Sequence, residues 1–272
     1  MDDLQTVRDL LWVVNSPSLI DGAQVADSTV LDADQIDPVE LSTFLSENRN
    51  HRVGRYFERL VLFWLERIRR VRIVTAGEQI RDGNRTLGEI DFIFEDEAGR
   101  LTHWETAVKF FLHFPNDEGS HFPGPNASDN FERKMTKLFE KQLRFSEEHY
   151  PEVEVRQAFV KGMLFYHADV DLPDELPDKL SPDHQRGTWI RESELDRLDA
   201  FRGWCGEVMS KPNWLSRPLV PQCLPLDSLR QNIEQHFHRT NAPIMVSLVR
   251  EEADEQRFFV VPDSWPRLSN NT

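Results

Sequence analysis

Cysteine is almost missing from this 272-residue chain, which has only Cys205 and Cys223. They have 17 residues between them and form no C-x-x-C pair, so no cysteine-based zinc site can be assembled. A reducing, cytoplasmic setting is the expectation that follows. Long apolar runs are missing as well. The longest, Leu60 to Leu65, has six residues, against the roughly 20 that span a bilayer. The opening MDDLQTV is acidic where a secretory signal is basic, so an intracellular protein that does not enter the membrane is expected. Positive charge is in deficit: 32 Lys and Arg face 47 Asp and Glu, for a formal net charge of −15. That balance argues against a protein that coats nucleic acid by bulk electrostatics. G-x-S-x-G, P-loop and G-x-G-x-x-G motifs are absent, which leaves hydrolase-elbow and nucleotide-fold readings without support.

What is present is ordinary globular material: 39% hydrophobic residues, enough to exclude disorder as a class. The charge is unevenly placed. Residues 1–48 carry ten acidic side chains and one basic, Arg8, whereas residues 49–85 carry ten arginines against Glu58, Glu66, Glu78 and Asp82. Solvated helix faces explain this most simply; the sharper expectation is a local basic surface in segment 49–85 that meets nucleic-acid phosphate.

Helical spacing is clear at Leu4, Val7, Leu10, Leu11 and Val14, and again at Phe57, Leu60, Val61, Trp64, Leu65 and Ile68, with Glu58 bordering the second stripe. A short helix is expected near Pro38–Glu47. The period then changes to two, predicting strands at Val71–Arg81, Thr86–Asp96 and Leu101–Leu112, the first two joined by Asp82-Gly83-Asn84. A long loop at 113–130, a helix at 130–149 stopped by Pro151, and a strand at Val155–Tyr166 follow. Beyond a proline-bearing stretch at 169–184, helices are predicted at Glu192–Met209 and 226–239, then strands at Ile244–Arg250 and Arg257–Val261 joined across EEADE. The order predicts an α/β fold with a central mixed sheet flanked by helices. The expected organisation is a helical extension over 1–50, an α/β core over 51–168 and a helical and β-hairpin addition over 169–272.

The two-strand stretch LGEIDFIFEDEAGRLTHWETAVKFF, Leu87 to Phe111, concentrates the chemistry. Alternation puts Glu89, Asp91 and Ile93 on one face, and His103, Glu105, Ala107 and Lys109 on one face of the next strand. With strands about 4.8 Å apart, Asp91 and Glu105 converge on one cation if the register of the two strands sets them side by side. Carboxylate oxygens with few protein ligands describe a Mg²⁺ or Mn²⁺ site. Glu95 and Glu97, near the turn, read as solvated.

Gly88-Glu89-Ile90-Asp91-Phe92, a short turn, then Trp104-Glu105 and a lysine resembles the PD-(D/E)xK nuclease superfamily. That resemblance implies a restriction-endonuclease-like core of helix, three strands, helix and strand. Gln142, in the stripe of Met135, Leu138 and Phe145, resembles the glutamine of the RecB-like branch, and Glu58 resembles the helix carboxylate many members place at the metal. GEIDF, HWETAVKF, GPN at Gly124–Asn126 and Lys134 with Gln142-Leu143 resemble, more closely, a bacterial family of unknown function numbered 1853. The superfamily resemblance implies a metal-dependent phosphodiesterase acting on nucleic acid. Asp91, Glu105, Glu58 and the Thr106 carbonyl are then metal ligands, Lys109 orients water, Glu89 is an outer ligand and Gln142 positions the site.

The pattern departs at one place. The superfamily lysine follows the glutamate by two residues, a position held here by Ala107, and Lys109 stands about 13 Å along the strand from Glu105 instead of about 6.6 Å. A β-bulge would shorten that gap, and Lys134, Lys137 or Lys141 is an alternative source of the charge. The second functional expectation is a nuclease-like fold kept as a binding module for nucleic acid or protein. His236 and His238 point apart on a helix, and His113 and His121 read as loop histidines.

Overall fold

Val7, Leu10, Val13 and Val14 bury one stripe of helix α1 (Asp3–Asn15). Its last carbonyls are covered from inside the protein: the buried Lys161 ammonium donates to Val14 O at 3.3 Å and to Ser16 O. Such a cation suits the negative end of the helix dipole. The computed structural model describes residues 3–26, 29–47, 51–83, 85–173, 175–219, 223–250 and 254–266. Arg49, Asn84, Pro221 and residues 251–253 of the last expected turn lie outside those residues. The described part is a mixed α/β fold in two compact units. No helix among the described residues is long and apolar enough to cross a membrane.

Unit 1 comprises Met1–Lys109, Glu132–Gly162 and Pro177–His184. After α1 it holds α2 (Pro38–Ser46), begun by Asp37, whose side chain accepts from the Val39 and Glu40 amides. Helix α3 (Val53–Phe63) follows and continues as a π turn, Trp64–Ile68. Next come β1 (Arg72–Asp82), β2 (Arg85–Glu95) and the first part of β3 (Leu101–Leu112). Helix α4 (Phe131–Lys137), a second π turn (Leu138–Gln142) and α5 (Leu143–His149) lead to β6 (Val155–His167). Helix, three strands, helix, strand is thus the order over these elements, and the strands neighbour one another as β1-β2-β3-β6.

Aromatic packing fixes α3 to this sheet. Trp104 of β3 stacks on Phe159 of β6 at 5.2 Å between centroids, and Trp64 covers both at 6.0 and 5.6 Å. Each such side chain, fully buried, contributes about 1.5–3 kcal/mol. Helix α5 packs on β2, where Gly88 leaves room for the ring of Phe145; a Cβ there would stand 2.9 Å from Phe145 Cζ. The sheet therefore carries α3 and α5, and the polar strand residues face side chains from both helices.

Unit 2 comprises Phe110–Phe131, Met163–Leu176 and Gln185–Thr272. It contains β4 (Phe114–Asn116) and β5 (Gly119–His121), a small antiparallel pair inside the stretch expected to be a loop. It also contains β7 (Gln185–Arg191), which lies parallel to both β6 and β11 (Glu255–Val261). The charged, glycine-bearing QRGTWIR gives no period, so this strand is invisible until its neighbours pair with it. Residues expected as one helix, Glu192–Met209, split into a 3₁₀ segment, Glu192–Phe201, and β8 (Cys205–Met209). Pairing of β8 with β10 (Ile244–Val249) overrides the helical pattern there. The two-residue β9 (Leu224–Pro225) and helix α6 (Leu226–Arg239) complete the unit.

Candidate active site

The register of β2 against β3 runs from Glu95 opposite Leu101 to Phe92 opposite Trp104, so Asp91 and Glu105 are the next residues on either strand. There the Thr106 amide donates to Asp91 Oδ2 at 2.8 Å, and the Thr106 hydroxyl donates to the same oxygen at 3.2 Å. Glu105 is fully buried. Its Oε2 accepts from Gln142 Nε2 at 2.8 Å, and its Oε1 lies 3.0 Å from His103 Nε2. The π turn that ends at Gln142 widens the helix where that amide reaches the strand, a feature frequent at functional sites.

Behind Glu105 runs a polar chain. His103 Nδ1 lies 2.9 Å from Ser146 Oγ, which accepts from Arg156 Nε at 2.9 Å. His103 is held neutral, its pKa lowered by burial to about 4. Two carboxyl groups thus sit together with only neutral direct partners. Burial first, then the charge of Glu105, pushes Asp91 up to about 7, against the pull of the Thr106 donors. Burial pushes Glu105 up to about 8, with the Asp91 amide and Gln142 pulling the other way.

Glu58 and Glu89 are brought to the same place by a residue the sequence did not mark. Arg55, on α3, donates from Nη1 to Glu58 Oε2 at 2.7 Å and to Glu89 Oε1 at 2.6 Å, and from Nη2 to Glu89 Oε2 at 3.0 Å. Glu58 is pushed up to about 7 by burial and by Asp91, with Arg55 opposing. The Arg55 guanidinium is itself raised, chiefly by its hydrogen bond to Glu89.

A cavity of about 670 Å³ opens over these groups. Arg55, Glu58, Glu89 and Asp91 line it, as do Ala107, Lys109, Lys134, Lys137 and Lys141. Lys109 therefore reaches the cavity although it stands two residues beyond the expected position. A second cavity, of about 300 Å³, shares Arg55, Glu58 and Asp91 with the first. The arginines of 49–85 are largely engaged inside the unit. Arg59 donates to Phe44 O, Arg67 pairs with Glu40, Arg69 with Glu97 and Arg72 with Glu95. Among the described residues, no group of three or more His, Cys, Asp and Glu side chains is arranged to hold a metal ion. The available donors are the half-buried Asp91 carboxylate and the buried Glu105 carboxylate. That set suits Mg²⁺, which keeps several waters and takes one or two carboxylates. Burial and neighbouring carboxylates raise the pKa values of Asp91 and Glu105, and a cation beside them would offset the cost of their charge.

The family model described as Domain of unknown function (DUF1853) matches residues 8–261. The chain belongs to that family. Its model covers every residue of the site, from Arg55 to Arg156. No curated protein and no solved structure matches the chain.

Arg55 and the chain His103–Ser146–Arg156 are what sequence reading missed. His103 shares a face with Glu105, and Ser146 stands one helical turn beyond Gln142, so spacing carried a signal for both. Nothing in sequence separated Arg55 from its neighbouring arginines. Cys205 and Cys223 are free thiols, and His236 accepts no role beyond a contact 2.8 Å from Ala242 O.

Proposed function

We propose that this protein is a divalent-metal-dependent phosphodiesterase acting on nucleic acid, with a PD-(D/E)xK-like site. The observation that carries the reading is the pairing of Asp91 and Glu105. They are adjacent carboxylates with neutral partners, and the cavity that Asp91 lines is also lined by Lys109, Lys134, Lys137 and Lys141. Acid below and cations around suit a phosphodiester: the lysines neutralise the backbone phosphates without reading sequence. Asp91, Glu105 and the Thr106 carbonyl would hold Mg²⁺ or Mn²⁺. Such an ion supplies a more acidic bound water and offsets charge that develops on phosphorus. Gln142 and the Thr106 amide keep the two carboxylates aimed at one point. Lys109 and the helix lysines bind the phosphate and orient the attacking water beside it.

The test is cleavage of labelled DNA and RNA by purified protein with Mg²⁺ or Mn²⁺. Activity lost in Asp91→Asn and in Glu105→Gln supports the reading; equal cleavage by wild type and both variants sinks it. Ala107 at the superfamily's lysine position favours a second reading, a nuclease-like fold that binds nucleic acid or a protein partner without cutting. Under it, nucleic acid is retained with no product formed, and Asp91→Asn leaves that binding unchanged.

A further inference from the structure

Three carboxylates line the cavity, Glu58, Glu89 and Asp91, and a fourth, Glu105, lies buried on the strand beside Asp91. Glu58 feels the charge of Asp91 and Glu89, Asp91 that of Glu105 and Glu89, and Glu105 that of Glu89 and Glu58. They divide into two pairs by the partners they have. Asp91 and Glu105 meet neutral donors, whereas Glu58 Oε2 and both oxygens of Glu89 lie 2.6–3.0 Å from the nitrogens of one guanidinium. A guanidinium cannot lose its charge in a protein, and its planar fork matches a carboxylate at two points. The three groups that Arg55 touches or neighbours, Glu58, Glu89 and Asp91, are also those a second ion would need. Two-metal sites place their ions about 3.5–4 Å apart with carboxylates from both sides. Arg55, Glu58 and Asp91 line both cavities, so the guanidinium stands where the two spaces meet.

The geometry points to Arg55 as a resident substitute for a second metal ion: it neutralises Glu58 and Glu89, and the site takes one divalent ion, at Asp91 and Glu105. This rests on the metal-site reading above and goes beyond it by setting the number of ions and giving Glu58 and Glu89 a different role. Arg55 is a positioning residue in this scheme. It holds two carboxylates away from the ion and keeps the net charge at the cavity wall low enough for a phosphodiester to approach.

The experiment is Mn²⁺ titration of the full chain, with free Mn²⁺ read by electron paramagnetic resonance and the stoichiometry checked by calorimetry. Wild type is expected to bind one Mn²⁺ per chain, Arg55→Gln two, and Arg55→Lys one. Arg55→Gln combined with Glu89→Gln is expected to return to one. Wild type binding two, or Arg55→Gln binding one, overturns the inference while leaving the single-ion reading in place. No Mn²⁺ bound by wild type overturns the metal site itself and this inference with it. Glu89→Gln alone, which does not depend on the folding of an Arg55 variant, is expected to keep wild-type Mn²⁺ affinity within about threefold. A loss of tenfold or more makes Glu89 a ligand and rejects the role given to Arg55.

Discussion

The Thr106 amide donates to the Asp91 carboxylate at 2.8 Å, so an acidic side chain on β2 is fastened to the backbone of β3. The bond places a charge-bearing group where a ladder acceptor would ordinarily sit, and it orients that group beside Glu105. Under the proposed function its consequence is direct. Asp91→Asn keeps the shape and removes the charge. Cleavage should fall at least a hundredfold, and Mg²⁺ should no longer raise the melting temperature. Retained metal stabilisation in this variant would locate the ion elsewhere.

Stability should depend on pH through the same pair. Asp91 and Glu105 have folded-state pKa values, about 7 and about 8, above their ordinary ones of 3.8 and 4.5. The folded protein therefore binds more protons than the unfolded chain, and stability is lost as pH rises through those folded values. His103, lowered to about 4, is already neutral in the folded protein at pH 6.5, and its unfolded-state titration near 6.5 adds an opposing gain in stability that is nearly complete by pH 7.5. Over that window the metal-free protein should lose several degrees of melting temperature, and 5 mM Mg²⁺, on the order of a physiological excess over a weak site, should offset the loss. Glu105→Gln should flatten the slope and be the more stable protein at pH 8. A melting temperature that rises with pH in wild type would refute the charge assignment.

Lys134, Lys137 and Lys141 line the cavity from one helix. Changing all three to Gln should weaken binding of nucleic acid about equally across sequences, and should lower the salt dependence of binding by about one counterion per lost phosphate contact. Metal-dependent stabilisation should persist, because Asp91 takes its donors from Thr106 and Glu105 from Gln142. Unchanged salt dependence, measured by fluorescence anisotropy with Ca²⁺ replacing Mg²⁺, would remove these lysines from the interface.

Gln142→Leu should leave Glu105 Oε2 buried without its amide donor. The loss of one hydrogen bond to a buried group costs about 1–3 kcal/mol. The variant should therefore melt several degrees lower at pH 8, where Glu105 is increasingly ionised, and less so at pH 6. A deficit that does not change with pH would make Gln142 a packing residue only.

Gly162→Ala tests the support beneath Lys109. A Cβ at 162, where φ is +151°, would stand 1.8 Å from the Lys109 carbonyl oxygen. The backbones must separate, at a cost of about 4 kcal/mol or more. Chemical denaturation should show that loss, and any folded remainder should cleave poorly because Lys109 has moved. A Gly162→Ala protein of wild-type stability would mean that β3 and β6 are not held this closely.

Much of unit 1 was legible because its signals are local. The helical stripe from Phe57 to Leu65, the change to period two at residue 72 and the uninterrupted span of Leu101 to Leu112 each follow from side chains a few residues apart. The same alternation put Asp91 and Glu105 each on the charged face of its strand and exposed the anomaly of Ala107 and Lys109, while the register that makes the two neighbours came from the structure. In unit 2 the signals are distant. Strand β7 exists because β6 and β11 flank it, and β8 because β10 pairs with it; neither partner is near in sequence.

By itself, then, the sequence determined which residues are carboxylates, which strand faces carry them and in what order the elements come, since periodicity depends only on near neighbours. Only the tertiary structure decided which charges meet. Arg55 lies 34 residues from Glu89, and Gln142 lies 37 from Glu105. Such pairings depend on how α3 and α5 pack against the sheet. Burial then turned that geometry into chemistry, because a carboxylate acquires its unusual acidity from the water it loses and the charges brought beside it.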